Sequence, residues 1–216
     1  VARAQTAGRG RLGRTWHSED GRNLYLSMGW RPLIPALGMA RFTLVLGLAI
    51  ADALEAGWGV RPMIKWPNDL LLDGRKVAGM LAEARLDADA TREVILGLGL
   101  NVGAPLEAFP EDLRALATSL AEQCPLPPNP NRVACAVIAA MDAAAARFFN
   151  GGDTDALMAG WPQRDALTGR PVTVATPQGP VAGVADGIAA DGALCLRRDD
   201  GRLECFHAGD VSVRPQ

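Results

Sequence analysis

Hydrophobic and polar positions alternate with period two over 24–30: Leu24, Leu26, Met28 and Trp30 stand against Tyr25, Ser27 and Gly29. That alternation predicts a strand with one face on a core. Ahead of it, Val1–Thr6 reads as a further strand, and after it Pro32–Pro35 is a connector. Leu37–Ala56 is long, rich in Ala and Leu and free of proline, so it reads as a buried helix stopped at Gly57. Strands are expected at Val60–Trp66, at 70–72 after the turn Pro67-Asn68-Asp69, and from Arg75 towards Ala84. Asp73-Gly74 between the last two is a two-residue hairpin signal. Glu93–Asn101 is a strand with glycines at 97 and 99, where backbone or a ligand can pack closely.

The second half has a different pattern. Residues 105–123 read as loop and short helix, and Pro125–Pro130 is a rigid connector. Asn131 is a candidate N-cap for a helix whose stripe is Val133, Val137, Met141, Ala145, Phe148 and Phe149, ended by Gly151-Gly152. Trp161-Pro162 closes a short helical piece. From Arg170 onward, about five short β-rich runs are separated by Pro177-Gln178-Gly179, Asp191-Gly192 and Asp199-Asp200-Gly201, the pattern of a small barrel docked on the first domain. The chain therefore reads as an α/β domain with a small β module.

Bulk numbers narrow the partners. At 216 residues and a net charge of −2, the chain has no general affinity for polyanions, so a cluster of arginines is a local feature suited to a small anionic ligand. No apolar stretch reaches the length of a membrane span and no signal peptide is evident. Cys124, Cys135, Cys195 and Cys205 are scattered without metal spacing and read as reduced thiols of a cytoplasmic protein. Cys195 and Cys205 fall on neighbouring strands, which does not by itself imply a disulfide. Val1 reads as the middle of a strand, so the natural N-terminus is expected to lie further upstream.

The candidate chemistry lies in Gly8-Arg9-Gly10-Arg11-Leu12-Gly13-Arg14, flanked by Gln5 and Trp16. Glycines let the backbone approach a ligand, and guanidinium forks match phosphate and carboxylate oxygens. A second dense motif is Lys65-Trp-Pro-Asn-Asp69. His17 and His207 have no nucleophile nearby in sequence, and Ser27 and Ser119 have no triad setting.

These segments, followed by Arg75-Lys-Val-Ala-Gly79 and Gly97-Leu-Gly-Leu-Asn101, resemble the ordered motif set of biotin protein ligases over roughly residues 1–103. The tail is similar to that family's SH3-like C-terminal domain. The resemblance implies a mixed, largely antiparallel sheet backed by helices, related to class II aminoacyl-tRNA synthetase catalytic domains. It places a catalytic domain at 1–165, incomplete at its N-terminus, and a small β-barrel at 168–216. It implies an ATP-dependent ligase that forms biotinyl-5′-AMP with magnesium and passes biotin to a lysine of a biotin carboxyl carrier protein.

By motif match, Lys76 and Arg11 would be catalytic. Biotin would meet Gln5, Gly8, Arg9, Gly10, Arg11, Lys76 and Gly79. ATP and the adenylate would meet Arg9, Arg11, Arg14, Trp16, Asn68, Asp69, Lys76, Asn101 and Arg214, with Asp69 as the metal ligand. The family's upstream Ser-Thr-Asn biotin segment is not in this chain, nor is a winged-helix DNA-binding pattern, so no operator binding is expected. A homodimer through edge-to-edge strand pairing is compatible with the pattern and not required by it. Alternative readings are a non-catalytic biotin or adenylate-binding module, a lipoate or octanoate ligase, and a nucleic-acid-binding domain using the Gly/Arg run.

Overall fold

The computed structural model describes residues 1–18, 21–32, 39–87 and 90–213. A five-stranded antiparallel sheet is built from β1 (Leu24–Trp30), β2 (Met63–Lys65), β3 (Asp69–Leu72), β4 (Arg75–Asp87) and β5 (Ala90–Leu100), in the order β1-β5-β4-β3-β2. The two-residue periodicity sorts its faces. Leu26, Leu70, Met80, Leu98 and Leu100 point into a core closed by helices α1 (Met39–Trp58) and α4 (Pro130–Phe149). Ser27, Asp69, Gly79, Gly97 and Gly99 are on the opposite face, which opens onto a cavity. Small side chains on that face leave the space that the helices fill on the other.

One irregularity sets the site. Asp69 pairs with Gly79 and Leu70 with Ala78, but Leu71 pairs with Lys76, so Val77 is an extra residue on β4. Such a bulge switches the alternation of faces. Val77 and Ala78 are both buried in the core, and Lys76 and Gly79, three apart, both reach the cavity. The hairpin between β3 and β4 turns at Asp73 (φ 48°) and Gly74 (φ 75°), the primed turn expected from Asp-Gly.

The short helix α2 (Glu111–Arg114) lies at one end of the cavity through Leu113, and α3 (Leu120–Gln123) follows it. Helices α5 (Thr154–Met158) and α6 (Trp161–Arg164) lead to the second sheet. That sheet comprises β6 (Pro171–Thr176), β7 (Gly179–Ile188), β8 (Leu194–Arg197), β9 (Leu203–Phe206) and β10 (Asp210–Val213), ordered β10-β6-β7-β8-β9. The two sheets share a joint. Leu44 and Leu48 of α1, Ile64 of β2 and the adjoining Trp66 pack with Trp161 of α6 and with Val172 and Leu194 of the second sheet, and the buried Trp66 indole donates to Gly192 O at 3.0 Å. Arg164 pins the same joint, donating to Asp52 Oδ1, Glu55 Oε2 and Pro62 O. Burial opposes its charge, but the hydrogen bonds to Glu55 and Asp52 outweigh that and hold its pKa above the ordinary value. Among the described residues no helix is long and apolar enough to cross a membrane.

Several sequence expectations are corrected. Val1–Thr6 is not a strand: its contact with the sheet is one bridge, Ala2 to Tyr25, and the segment is exposed. The strand expected at Val60–Trp66 shrinks to Met63–Lys65, the length that finds a partner in β3. Helix α1 continues through Gly57 and stops at Gly59, whose φ of +70° is the left-handed stop. Its first expected residues fall outside the described range. Helix α4 is capped by Asn129, which accepts from Asn131 N at 2.9 Å, because Pro130 occupies the first helical position, where no amide is needed. Trp161 opens α6 instead of closing a helix. Cys195 and Cys205 are not free thiols: they are directly opposed on β8 and β9 and form a disulfide.

Candidate active site

A cavity of about 850 Å³ lies between the open face of the first sheet, the Gly/Arg loop, the 105–117 segment and the edge of the second sheet. Its floor carries an ion pair, Lys76 Nζ to Asp69 Oδ1 at 2.7 Å. The backbone of Lys76 is fixed on both sides: its N–H donates to Leu116 O at 2.7 Å, and its carbonyl accepts from Thr118 N at 2.9 Å. The bulged strand thus holds a half-exposed lysine whose backbone cannot shift freely.

The Gly/Arg loop folds as a narrow hairpin. Trp16 N donates to Gly8 O at 2.9 Å and Gly10 N to Arg14 O at 2.7 Å, with Leu12 (φ 54°) and Gly13 (φ 74°) turning the tip. Its arginines take different partners. Arg9 reaches Glu83 at 3.2 Å on the exposed rim. Arg11 Nη1 donates to Gly209 O at 2.9 Å and lies 3.5 Å from Asn68 Oδ1. Arg14 pairs with Asp210. The loop therefore spans from the first sheet to the second. Burial lowers the Arg11 pKa from its ordinary value, while Asp210 and Asp69 act in the opposite direction. A desolvated guanidinium of this kind gains strength from an anionic ligand.

The Trp16 indole packs closely against a pair of glycines. Gly79 and Gly99 are opposed in the β4–β5 ladder. A Cβ on Gly99 would meet Trp16 Cε2 at 2.3 Å, and one on Gly79 would meet Trp16 Cζ3 at 2.9 Å. The Lys76 ammonium sits 5.3 Å from the indole centroid, within cation–π range. The buried indole N–H has no partner among the described residues.

Gln5 faces the cavity and accepts from Ser18 Oγ at 2.9 Å. Asn68 Nδ2 donates to Met80 O at 2.6 Å, leaving its oxygen towards Arg11. Asn101 borders the cavity, but its amide is spent on Thr118 O at 2.9 Å, so it fixes the covering segment. Gly8 does not line the cavity; it is buried behind the loop, where a Cβ would meet Trp16 O at 2.5 Å. Arg214 lies outside the described residues. Of the sequence-derived candidates that are described, all except Gly8 border this one cavity.

Lys65, Glu83, Arg170 and Asp210 also border it and were not singled out. Lys65 belongs to a motif whose chemistry was assigned to Asn68 and Asp69. Arg170 and Asp210 come from the second sheet, about a hundred residues or more from the floor, where no spacing rule reaches. His17 lines the wall, with Nε2 donating to Ala108 O at 3.1 Å. Among the described residues, six cationic and three anionic side chains line the cavity, a net of three positive charges in a chain of net −2. That is the polarity for a polyanion of modest size. Asp69 is the one carboxylate on the floor, and no group of three acidic, histidine or cysteine side chains clusters among the described residues. This donor set fits a magnesium ion held mainly by a nucleotide's phosphates, with a single protein carboxylate.

Residues 1–101 match the biotin/lipoate A/B protein ligase family and residues 167–214 match the biotin protein ligase C-terminal domain. The chain is 37% identical over 216 residues to the biotin–[acetyl-CoA-carboxylase] ligase of Mycobacterium tuberculosis, covering 98% of this chain and 77% of that one. It is 43% identical over 122 residues to the bifunctional ligase/repressor BirA of Bacillus spizizenii, covering 56% of this chain and 38% of the relative, so it spans well under half of that protein's length. The structure superimposes on the biotin protein ligase from Aquifex aeolicus in complex with biotin and ATP with a TM-score of 0.84 at 28% identity, covering 100% of this chain and 88% of the other.

Proposed function

Because the chain belongs to the biotin protein ligase family, we propose that it activates biotin with ATP as biotinyl-5′-AMP and transfers the biotinyl group to a lysine of a biotin carboxyl carrier protein. The observation that carries this reading is the arrangement of charge. A floor lysine, Lys76, stands beside Trp16 in the same cavity as a loop guanidinium, Arg11, and the described lining has net positive charge. A carboxylate and a triphosphate repel each other, so a site that joins them needs fixed cations where they meet.

In the first step a biotin carboxylate oxygen attacks the α-phosphorus. The bond from that phosphorus to the bridging oxygen breaks, and its electron pair leaves with pyrophosphate. In the proposed roles, Lys76 stabilises charge on the carboxylate and the α-phosphate, while Arg11, with Arg9 and Arg14 beside it, neutralises phosphate and shields the mixed anhydride from water. Trp16 packs against the adenine side of the closed loop. Gln5, Gly10 and Gly79 shape the biotin end, while Gly8, behind the loop, lets the Trp16 backbone pack close; Asn68, Asn101 and Arg214 belong to the nucleotide end. Magnesium would arrive with the nucleotide and neutralise phosphate charge, with Asp69 as its protein ligand.

In the second step the carrier lysine amine attacks the acyl carbon, AMP leaves with the C–O electron pair, and the amine loses a proton. The division into a catalytic unit at 1–165 and a barrel at 168–216 belongs to the same proposal: the loop arginines bridge the two, so both are needed to close the site.

Biotin-dependent exchange of labelled pyrophosphate into ATP tests the first half-reaction, and label transfer to a purified carrier domain tests the second. Exchange that depends on lipoate or octanoate instead of biotin would reassign the acyl substrate. Ligand binding without exchange would make the chain a binding module.

A further inference from the structure

Strands β9 and β10 stand at opposite ends of the order of the second sheet, yet only residues 207–209 separate Phe206 from Asp210. The four Cα–Cα steps of that link span at most about 14 Å. In a flat five-stranded sheet the edge strands would stand about 19 Å apart. The sheet therefore has to curl, and 207–209 is the crossover that closes it. Among the described residues no ladder joins β9 to β10, so the crossover is not fixed by strand pairing. It nevertheless carries the lid. Its last carbonyl, Gly209 O, accepts from Arg11 Nη1 at 2.9 Å, and the next residue, Asp210, pairs with Arg14.

The crossover is held from both ends. On the β10 side, Gly209 (φ 152°) lies so close to β6 that a Cβ would meet Val174 Cγ1 at 2.6 Å. On the β9 side, His207 is the one polar side chain of the three residues, and its Nε2 donates to Asp191 Oδ2 at 2.7 Å. Asp191 sits in the turn between β7 and β8, and both residues that flank it are tied to the first domain. Ala190 O accepts from Arg41 Nη1 of α1 at 2.6 Å, and Gly192 O accepts from the Trp66 indole at 3.0 Å. A Cβ on Gly192 would lie 2.8 Å from Arg41 N, so the turn rests directly on the start of α1. Asp191 Oδ1 also accepts from Ala193 N at 3.1 Å, which fixes the carboxylate within its turn. The hydrogen bonds from His207 and Ala193 lower the Asp191 pKa from its ordinary value, so at neutral pH it is an anion that accepts on both oxygens.

We propose that Asp191 and His207 are positioning residues for the reaction: they form a strut from the first domain to the 207–209 crossover and hold Gly209 O and Asp210 where these keep the arginine lid shut over the bound adenylate. The proposal rests on the adenylate reading of the cavity. Neither residue lines that cavity, so the strut acts through Gly209 and Asp210 and not on the ligand. A lid contact is only as useful as the backbone that presents it is fixed, because a mobile acceptor must be ordered again each time the lid closes. An exposed ion pair contributes little to global stability. Local opening of a short crossover, by contrast, is governed by the few contacts that the crossover makes.

The test uses the whole chain with His207→Ala, His207→Gln and Asp191→Asn, each checked for unchanged folding by circular dichroism. Trypsin acting on the ligand-free protein reports lid opening, because it cuts after Arg11 and Arg14, and mass spectrometry identifies the bonds cut. Cleavage there should rise about threefold in His207→Ala and in Asp191→Asn, the scale of one exposed charge-assisted hydrogen bond. His207→Gln, whose amide can still donate to Asp191, should stay near the parent rate. Escape of biotinyl-adenylate after a single turnover should rise by the same factor as lid cleavage. In an Arg11→Ala, Arg14→Ala background, which lacks both lid contacts with the second sheet, His207→Ala should add nothing to that escape. Unchanged lid cleavage in both His207→Ala and Asp191→Asn would overturn the strut. An equal rise at arginines throughout the second sheet would also overturn it, as would a full further increment of escape in the double-arginine background. A parent chain that forms no biotinyl-adenylate would count against the biotin reading only, because cleavage of the ligand-free lid still decides the strut.

Discussion

Lys76 and Asp69 meet at 2.7 Å on the cavity floor although the lysine lies three residues from Gly79, which is also on that floor. The extra residue Val77 makes both possible, because it turns two successive side chains into the core and returns the lysine to the cavity side. The catalytic proposal therefore depends on a bulge.

Lys76→Met should lower biotin-dependent pyrophosphate exchange by about 10²–10³. Its partly exposed ion pair contributes only about 0–1 kcal/mol to stability. The midpoint of urea unfolding should accordingly stay nearly unchanged. Near-normal exchange in this variant would remove Lys76 from the reaction.

Arg11→Ala deletes the contact between the loop and Gly209 O, which together with the Arg14–Asp210 pair ties the lid to the second sheet. With the lid released, biotinyl-adenylate should escape to solvent about tenfold faster, as expected when a closing loop no longer excludes water. Rapid filtration after a single turnover measures the escaped fraction. Retention equal to the parent chain would mean that the loop closes without this arginine.

Gly99→Ala adds a methyl group 2.3 Å from Trp16 Cε2. The indole must lift, and overpacking of this kind costs about 1–3 kcal/mol. Biotin affinity measured by calorimetry should fall by about tenfold or more. Adding Trp16→Ala should remove the extra loss caused by Gly99→Ala, so the two substitutions should be strongly non-additive.

Arg164→Met leaves Asp52 and Glu55 without their shared partner at the joint. The expected loss is about 1–3 kcal/mol in chemical denaturation. The Arg164 pKa is raised in the folded state, so its contribution is complete below the ordinary arginine value and disappears only as pH rises through the higher folded value. The difference between variant and parent should therefore be flat across neutral pH, and a steep dependence there would contradict the assignment.

The cysteines should separate by reactivity. Cys135 is exposed, Cys124 is half-buried with its thiol pKa pushed up by burial, and Cys195 and Cys205 are joined. Without reductant, an alkylating reagent should label Cys135 first and Cys124 slowly, faster as pH rises towards its raised pKa, because the thiolate is the nucleophile. Reduction should expose Cys195 and Cys205. Intact mass reads the number of adducts, and four adducts without reductant would refute the disulfide.

Much of this was legible in the residues. Alternation over 24–30 predicts β1, Asp73-Gly74 predicts the hairpin turn, and the Val133–Phe148 stripe predicts α4, because periodicity and turn chemistry are local. The motif order also indicated which residues share one cavity. What required the tertiary structure was long-range. A period-two pattern puts Lys76 and Gly79 on opposite faces, and only the pairing of β3 with β4 reveals the bulge that reunites them. Asn131 is not the cap because a cap is decided by which side chain reaches a free amide, and Asn129 does; Trp161 opens α6 because Pro162 sits in the first turn, where no amide donor is needed. Cys195 and Cys205 form a bond because register places them opposite each other. Arg170 and Asp210 join the site because an apolar joint around Trp66 swings the second sheet over the first, a packing event that no local spacing encodes.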